Sequence, residues 1–321
     1  MTRILIIKLA ALGDVVQAFA VLPRIRAAHP DAEITVLTTP LYAGLFALSP
    51  DVDRVETDGR PKGVAATVAM LRRLRRTGYE RVYDLQTSSR SSAYFYGLWP
   101  GPPQWSGIAP GASHPHANPA RDRMHTLERQ ADQLKYAGIW PDAPIAPGSA
   151  PPPDLSFLLA DTSPERSPAH SGLSAPYALL IPGASPQHPG KRWPAERFAG
   201  LAGRLVEQGL NVAVVGGPAE RDLAKSIVET VPGVVDLAGR TDFAQLASLG
   251  ARAALAVGND TGPTHLIAAT GAPTLALFSH DSNPALCAPR GRTVQVLRAE
   301  RLGELSLESV VLHTDRLLGA A

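Results

Sequence analysis

The chain contains one cysteine, Cys287, in 321 residues. That excludes an internal disulfide and fits a reducing compartment. Nowhere does it run to the roughly 18 uncharged apolar residues that a membrane-spanning helix needs. Residues 1–25 resemble a leader at first sight, but Lys8 and the Gly13-Asp14 pair interrupt the apolar stretch, and no small-residue cleavage site follows a clean core. A cytoplasmic protein is expected, with peripheral membrane contact left open. Charge of one sign is not in excess: 31 Lys and Arg face 29 Asp and Glu, a formal net charge of +2. That is not the profile of a dedicated nucleic-acid binder, and no nucleic-acid partner is expected. No G-x-G-x-x-G follows the first apolar run; the loop there reads KLAALGD, so the fingerprint of an NAD-type dinucleotide fold is missing. His114 and His116 have neither cysteine nor carboxylate at ligand spacing. Pro100 to Pro119 therefore reads as an irregular surface loop, and neither metal nor cofactor is expected.

What is present points to an α/β protein of two domains. Hydrophobic residues make up 45% and charged residues 19%, and 321 residues exceed one ordinary α/β core. Ile4 to Ile7 is a short buried strand. Asp14 opens a helix to about Ala28, and Ile34 to Leu37 is the next strand, a doubly wound opening. An amphipathic helix at 64–77 and a strand at Arg81 to Leu85 follow, then the polar run QTSSRSS and helices near 94–96 and 125–138. Between residues 54 and 90 nine Lys and Arg stand against four Asp and Glu. That excess reads as a solvated helix face or as a patch for an anionic substrate or lipid headgroup. Nine prolines between 141 and 176 mark a linker, with one short strand expected at Leu155 to Leu159. The predicted domains are 1–150 and 177–303. A last helix at 304–318 is free to return to the first domain.

In the second half, Tyr177 to Ile181, Asn211 to Val215 and Val234 to Leu237 read as strands separated by helices. Residues 255–278 carry the chemistry. Leu255 to Val257 ends a buried strand at Gly258, Asn259 to Pro263 is turn chemistry, Thr264 to Thr270 is a helix closed by Gly271, and Thr274 to Phe278 is another strand. Polar residues thus gather at the carboxyl end of a parallel strand, where open α/β sheets bind ligands, and a helix N-terminus points free N–H groups at the same place. A phosphate or pyrophosphate is the natural guest. Two doubly wound halves facing each other set KLAALGD and QTSSR from the first against PGASPQHPGKRWP, GGPAE, LAGRTD and GNDTGPTH from the second. A central cleft for two substrates is the expected arrangement.

These motifs resemble the ADP-heptose:lipopolysaccharide heptosyltransferases. The turn Asn259 to His265 is similar to that family's D-[ST]-G-x-x-H motif. PGASPQHPGKRWP resembles its Gly-Ala…Lys-x-Trp-Pro loop, and the amino-terminal strand, Gly-Asp turn and helix also fit. The resemblance implies an inverting glycosyltransferase of GT-B architecture, two Rossmann-like domains, moving a heptose from ADP-heptose to a lipopolysaccharide inner-core acceptor without a metal. Peripheral contact of the expected cytoplasmic protein with the inner face of the inner membrane stays open. Asp14 matches the general base and Lys191 the diphosphate-binding lysine, both catalytic. On the donor side the resemblance adds Ser185, Glu220, Thr241, Asp260, Thr261, Gly262 and His265: Asp260 for sugar hydroxyls, the Thr261 and Gly262 amides for phosphate, His265 for sugar or phosphate, Glu220 for the ribose and the backbone near Thr241 for the base. Gly13, Gln86 and Arg90 fall to the acceptor. One departure stands out: the family's Gly-Pro after the last strand is Ser279-His280 here, beside the sugar site, which leaves His280 and Asp281 open as sugar contacts or loop polarity. The alternatives are a non-catalytic sugar-nucleotide or glycan binder on this scaffold, or a GT-B enzyme using another nucleotide-sugar.

Overall fold

The computed structural model describes residues 1–184 and 189–319, the side chain of Pro189 excepted. The chain divides into two compact units, Met1–Pro153 and Asp154–Ala321.

The first unit carries β1 (Arg3–Ile7), β2 (Glu33–Leu37), β3 (Arg54–Glu56), β4 (Arg81–Asp84), β5 (Gln104–Gly107) and β6 (His114–Pro115) in one parallel sheet of order β3-β2-β1-β4-β5-β6. β1 is central, and its Ile4 to Ile7 are wholly buried, as a strand covered on both faces requires. The chain winds outward through β2 and β3, then restarts at β4 on the other side of β1. The carboxyl ends of β1 and β4 therefore open side by side at the switch in strand order.

Two expectations for this unit change. The predicted helix from Asp14 to Ala28 is two helices, Leu12–Ala18 and Leu22–Ala28. Pro23 has no N–H for the carbonyl four residues back, and the chain crosses the gap with shorter bonds, Ala20 N–H to the Gln17 carbonyl and Val21 N–H to the Ala18 carbonyl. The Pro100 to Pro119 stretch, expected to be irregular, holds β5 and β6. Trp105 is fully buried there, and Gly107 lets β5 lie close to Asp84: a Cβ at Gly107 would fall 3.0 Å from the Asp84 Cβ. The helix Thr126–Tyr136 is polar in sequence, yet Glu128, Gln130, Asp132 and Gln133 are buried; the Gln130 side chain meets no hydrogen-bond partner among the described residues, and the other three do. Asp132 accepts from His116 and Asn118, while Glu128 accepts from the Gly148 and Ala150 amides, and Gln133 donates to the Asp84 and Ser106 carbonyls. Asp132, Glu128 and Gln133 persist in the interior because each finds partners.

The second unit repeats the plan. Its strands are β7 (Tyr177–Ile181), β8 (Asn211–Val214), β9 (Val235–Asp236), β10 (Leu255–Asn259), β11 (Thr274–Phe278) and β12 (Val294–Arg298), parallel in the order β12-β11-β10-β7-β8-β9. β7 and β10 stand here as β1 and β4 do in the first sheet. β12 is an edge strand that periodicity did not flag, since it is only half covered. The strand expected at Leu155 to Leu159 is a 3₁₀ turn, Ser156–Leu159. The proline-rich segment is nevertheless held: Arg166 pairs with Asp242 at 2.6 Å, and the Ser248 hydroxyl donates to the Arg166 carbonyl. The final helix, Leu307–Gly319, belongs to the second unit. It packs on the helix Ala195–Glu207 and on β10 and β11, with Val310 and Leu317 in the second unit's core. Its approach is fixed by the Trp193 indole N–H on the Leu305 carbonyl (2.8 Å) and by Gly200, where a Cβ would crowd Leu307.

Candidate functional site

In the first unit the site grows from the loops after β1 and β4. Gly13 and Asp14 are the second and third residues of the helix Leu12–Ala18, so Asp14 lies in a first turn whose partial positive charge favours a carboxylate. Its Oδ2 accepts weakly from the Ala11 amide (3.3 Å). Gln86, expected on the acceptor, is occupied by the protein itself: its Oε1 accepts from the Leu9 and Ala10 amides at 2.7 and 3.2 Å, tying the two loops together. Asp14, Gln86, Lys8, Thr87, Arg121 and Arg129 line a polar cavity of about 220 Å³. Arg90 is exposed on the first turn of the helix Ser89–Gly97 and does not line it.

Lys8 served in the sequence only to interrupt an apolar run. It is buried, and its ammonium donates to the Leu85 carbonyl at 3.1 Å. Burial pushes its pKa down while Asp14 and Asp84 pull it up and Arg129 adds to the fall. Thr87 adopts φ +43°, a left-handed conformation rare for a β-branched residue, and its amide is held by Asp84 at 3.0 Å.

Asp84 itself is fully buried. Burial raises its pKa to about 6 against the Ser91 hydroxyl and the Thr87 and Gln86 amides. A value raised on folding means that the native chain binds this proton more tightly than the unfolded one. The stabilising contribution is complete below the unfolded value of about 4. It is lost as pH rises through about 6. We expect carbon-13 NMR to show one aspartate carboxyl titrating near pH 6, and that titration should vanish in Asp84→Asn. Aspartates that all titrate near the ordinary value of about 4 would contradict it.

In the second unit the loops after β7, β10 and β11 converge. Asn259, fully buried at the end of β10, accepts from the Trp193 amide (3.1 Å) and donates to the Pro182 carbonyl (2.8 Å), pinning both ends of the β7 loop. Asp260 follows. The Lys191 ammonium donates to its Oδ2 at 2.8 Å, the Ser282 hydroxyl to the same oxygen at 2.7 Å, and His265 Nε2 lies 3.5 Å from Oδ1. Burial works against ionisation of Asp260, but hydrogen bonds from His265, Lys191 and Ser282 outweigh it and hold the carboxyl well below the usual carboxylate range. Thr261 caps the helix Gly262–Ala269 in extended conformation with no side-chain cap bond, so its first turn is left to other acceptors. Lys191, Asp260, Thr261, Gly262 and His265 thus come together as expected of one constellation. Ser282 joins them unannounced; the only signal was its place in the loop that departs from the family pattern.

Glu220 and Thr241 sit farther along the same sheet edge, after β8 and β9. Glu220 accepts from the Gly217 amide (2.7 Å) and lies over Gly183, where a Cβ would meet its Cγ at 2.6 Å and force the Glu220 side chain to shift. Ser185 lies outside the described residues. Among the described residues no group of three or more His, Cys, Asp or Glu is placed to hold a metal, and no helix is long and apolar enough to cross a membrane. Within 54–90 Arg73 pairs with both Glu56 and Asp58, two of the four acids counted there, so the basic excess itself stands.

The model of glycosyltransferase family 9 (heptosyltransferase) matches residues 67–309. The chain belongs to that family. It is a glycosyltransferase, and its two sheets have the GT-B arrangement of strands. It is 26% identical to lipopolysaccharide heptosyltransferase 2 of Escherichia coli strain K12 over 323 residues, 92% of this chain and 88% of the relative. Among solved structures it resembles E. coli ADP-heptose LPS heptosyltransferase II with a TM-score of 0.81 at 23% identity, covering 99% of this chain and 98% of that one. E. coli heptosyltransferase WaaC with ADP-2-deoxy-2-fluoro heptose gives 0.75 at 21% identity, covering 98% and 99%. The two structural likenesses speak to the fold.

Proposed function

We propose that this family 9 enzyme transfers a heptose from ADP-heptose to a hydroxyl of a lipopolysaccharide inner-core acceptor, with inversion at the anomeric carbon. The observation that carries the reading is the Lys191–Asp260–His265 cluster beside an uncapped helix N-terminus at the end of β10. One cation and one dipole there suit the diphosphate of a nucleotide-sugar. The names of the relatives supply the sugar and the acceptor class.

In the proposed step Asp14 takes the proton of the acceptor hydroxyl as its oxygen bonds to the anomeric carbon. The bond from that carbon to the β-phosphate oxygen breaks, and ADP departs with the electron pair. Lys191 and the first-turn amides at Thr261 and Gly262 offset the charge growing on the diphosphate. Asp260 and His265 hold the sugar, Glu220 the ribose, and the backbone at Thr241 the base.

The test is a product assay with ADP-heptose and inner-core acceptor, run beside calorimetry with ADP, UDP and GDP. Heptosylated product and preferential binding of ADP are expected. Binding of UDP or GDP in place of ADP, with no turnover of ADP-heptose, would assign the site to another donor.

A further inference from the structure

The loop after β11 meets the β7 loop at one residue and the turn after β10 at the next. The Asp281 carboxylate lies against Gly190, where a Cβ would fall 2.4 Å from Oδ2, so no side chain larger than hydrogen fits between them without a shift. The next residue, Ser282, donates to the Asp260 oxygen that also takes the Lys191 ammonium. The β11 loop is set in this shape by its own side chains. Buried Ser279 accepts from the Asp281 amide at 3.2 Å, Asn283 accepts from the Ala285 amide at 3.1 Å, and the His280 amide bonds the Glu300 carbonyl. Loops locked by short polar side chains in this way present their remaining groups in one direction.

The geometry points to Ser282 as a positioning residue that acts through Asp260 on Lys191 and so sets the affinity for the nucleoside diphosphate. The inference rests on the assignment of Lys191 to the diphosphate. In the unliganded site the Asp260 carboxylate is shared by a cation and a hydroxyl. When an anionic ligand draws on the ammonium, Ser282 keeps the nearly buried carboxylate hydrogen-bonded and its rotamer fixed, so Lys191 is released toward the ligand from a defined position. Without the hydroxyl, Oδ2 keeps Lys191 as its one partner among the described residues. The ammonium is then held back more strongly by Asp260, and the diphosphate competes for it less well.

The experiment is ADP calorimetry on the full chain. Ser282→Ala should weaken ADP binding about tenfold, the low end for a hydrogen bond to a charged group, and Ser282→Thr, which keeps the hydroxyl, should restore it to within about twofold. In a Lys191→Ala background, Ser282→Ala should change ADP affinity no further, because the residue through which it acts is gone. A purely structural serine would lower the melting temperature without this pattern. Wild-type protein that binds no nucleoside diphosphate overturns the diphosphate reading of the site. Wild type that binds ADP while Ser282→Ala binds equally well overturns the role of Ser282 alone, as does an equal loss in both backgrounds.

Discussion

Asn in place of Asp14 leaves ADP binding at wild-type strength and slows transfer by about 10²–10⁴-fold, the range of a lost general base. The substitution keeps the size of the side chain and an oxygen able to accept from the Ala11 amide. What it removes is the negative charge in the first turn of the helix and the capacity to take a proton. Asp14 belongs to the first unit, whereas Lys191, Asp260 and His265 belong to the second. A deficit confined to turnover, with nucleotide affinity intact, is therefore the signature of a base rather than of a donor ligand. Lys8 makes the outcome more telling. Its buried ammonium lines the same cavity, and Asp14 opposes the fall in pKa that burial imposes on it, so the variant also leaves that cation with less compensation. A small loss of stability in Asp14→Asn would be consistent with the reading. Transfer near the wild-type rate would remove Asp14 from the chemistry, whatever happened to stability.

The sequence carried the central strands and the turns that follow them, because those features are local. RILII and LAVGN are apolar runs that end in Gly or in polar turn residues, and such runs become the inner strands of parallel sheets. The features it did not carry depend on partners distant along the chain. β5 and β6 exist because β4 offers an edge and Gly107 allows close approach to Asp84. The final helix has an amphipathic face that would suit either half; the Trp193 indole and the small Gly200 decide for the second. The helix at Thr126 is polar in sequence, and its Glu128 and Gln133 anchor backbone from three other segments. The candidate site divides in the same way. Asp260 and His265 stand in one short motif and were legible. Ser282 was not, because its bond to Asp260 needs the β11 loop folded by Ser279 and Asn283. Gln86 shows the opposite case, a polar residue on the expected edge whose acceptor oxygen is already spent on Leu9 and Ala10.

Lys191→Ala should lower kcat/KM by about 10²–10³-fold, the loss usual when one preorganised donor to a developing oxyanion is removed. Unlike Asp14→Asn, it should weaken ADP binding as well, since in the proposed step the ammonium meets the diphosphate in the ground state and in the transition state alike. The ion pair adds a second consequence. Lys191 and Asp260 are 18% and 8% exposed in their side chains, so the alanine variant strips a cation from a nearly buried carboxylate. Ser282 and His265 remain to hold it, and the Asp260 pKa should climb from its depressed value toward the ordinary one. A depressed pKa stabilises the fold above the unfolded value of about 4, and that contribution is lost as pH falls through the folded one. The variant should therefore lose stability at neutral pH and show a weaker dependence on acid than the wild type. Breaking a buried pair from one side costs about 3–5 kcal/mol; partial exposure here puts the expected loss below that range. The double variant Lys191→Ala with Asp260→Ala separates the two consequences. Its stability should fall by less than the sum of the single losses, because no orphaned charge remains, while its transfer rate should stay as low as that of Lys191→Ala. Thermal melts and initial rates on the three variants read both quantities. Additive losses of stability would mean that the 2.8 Å contact contributes little to the fold, and a transfer rate unchanged in Lys191→Ala would place the leaving group's cation elsewhere.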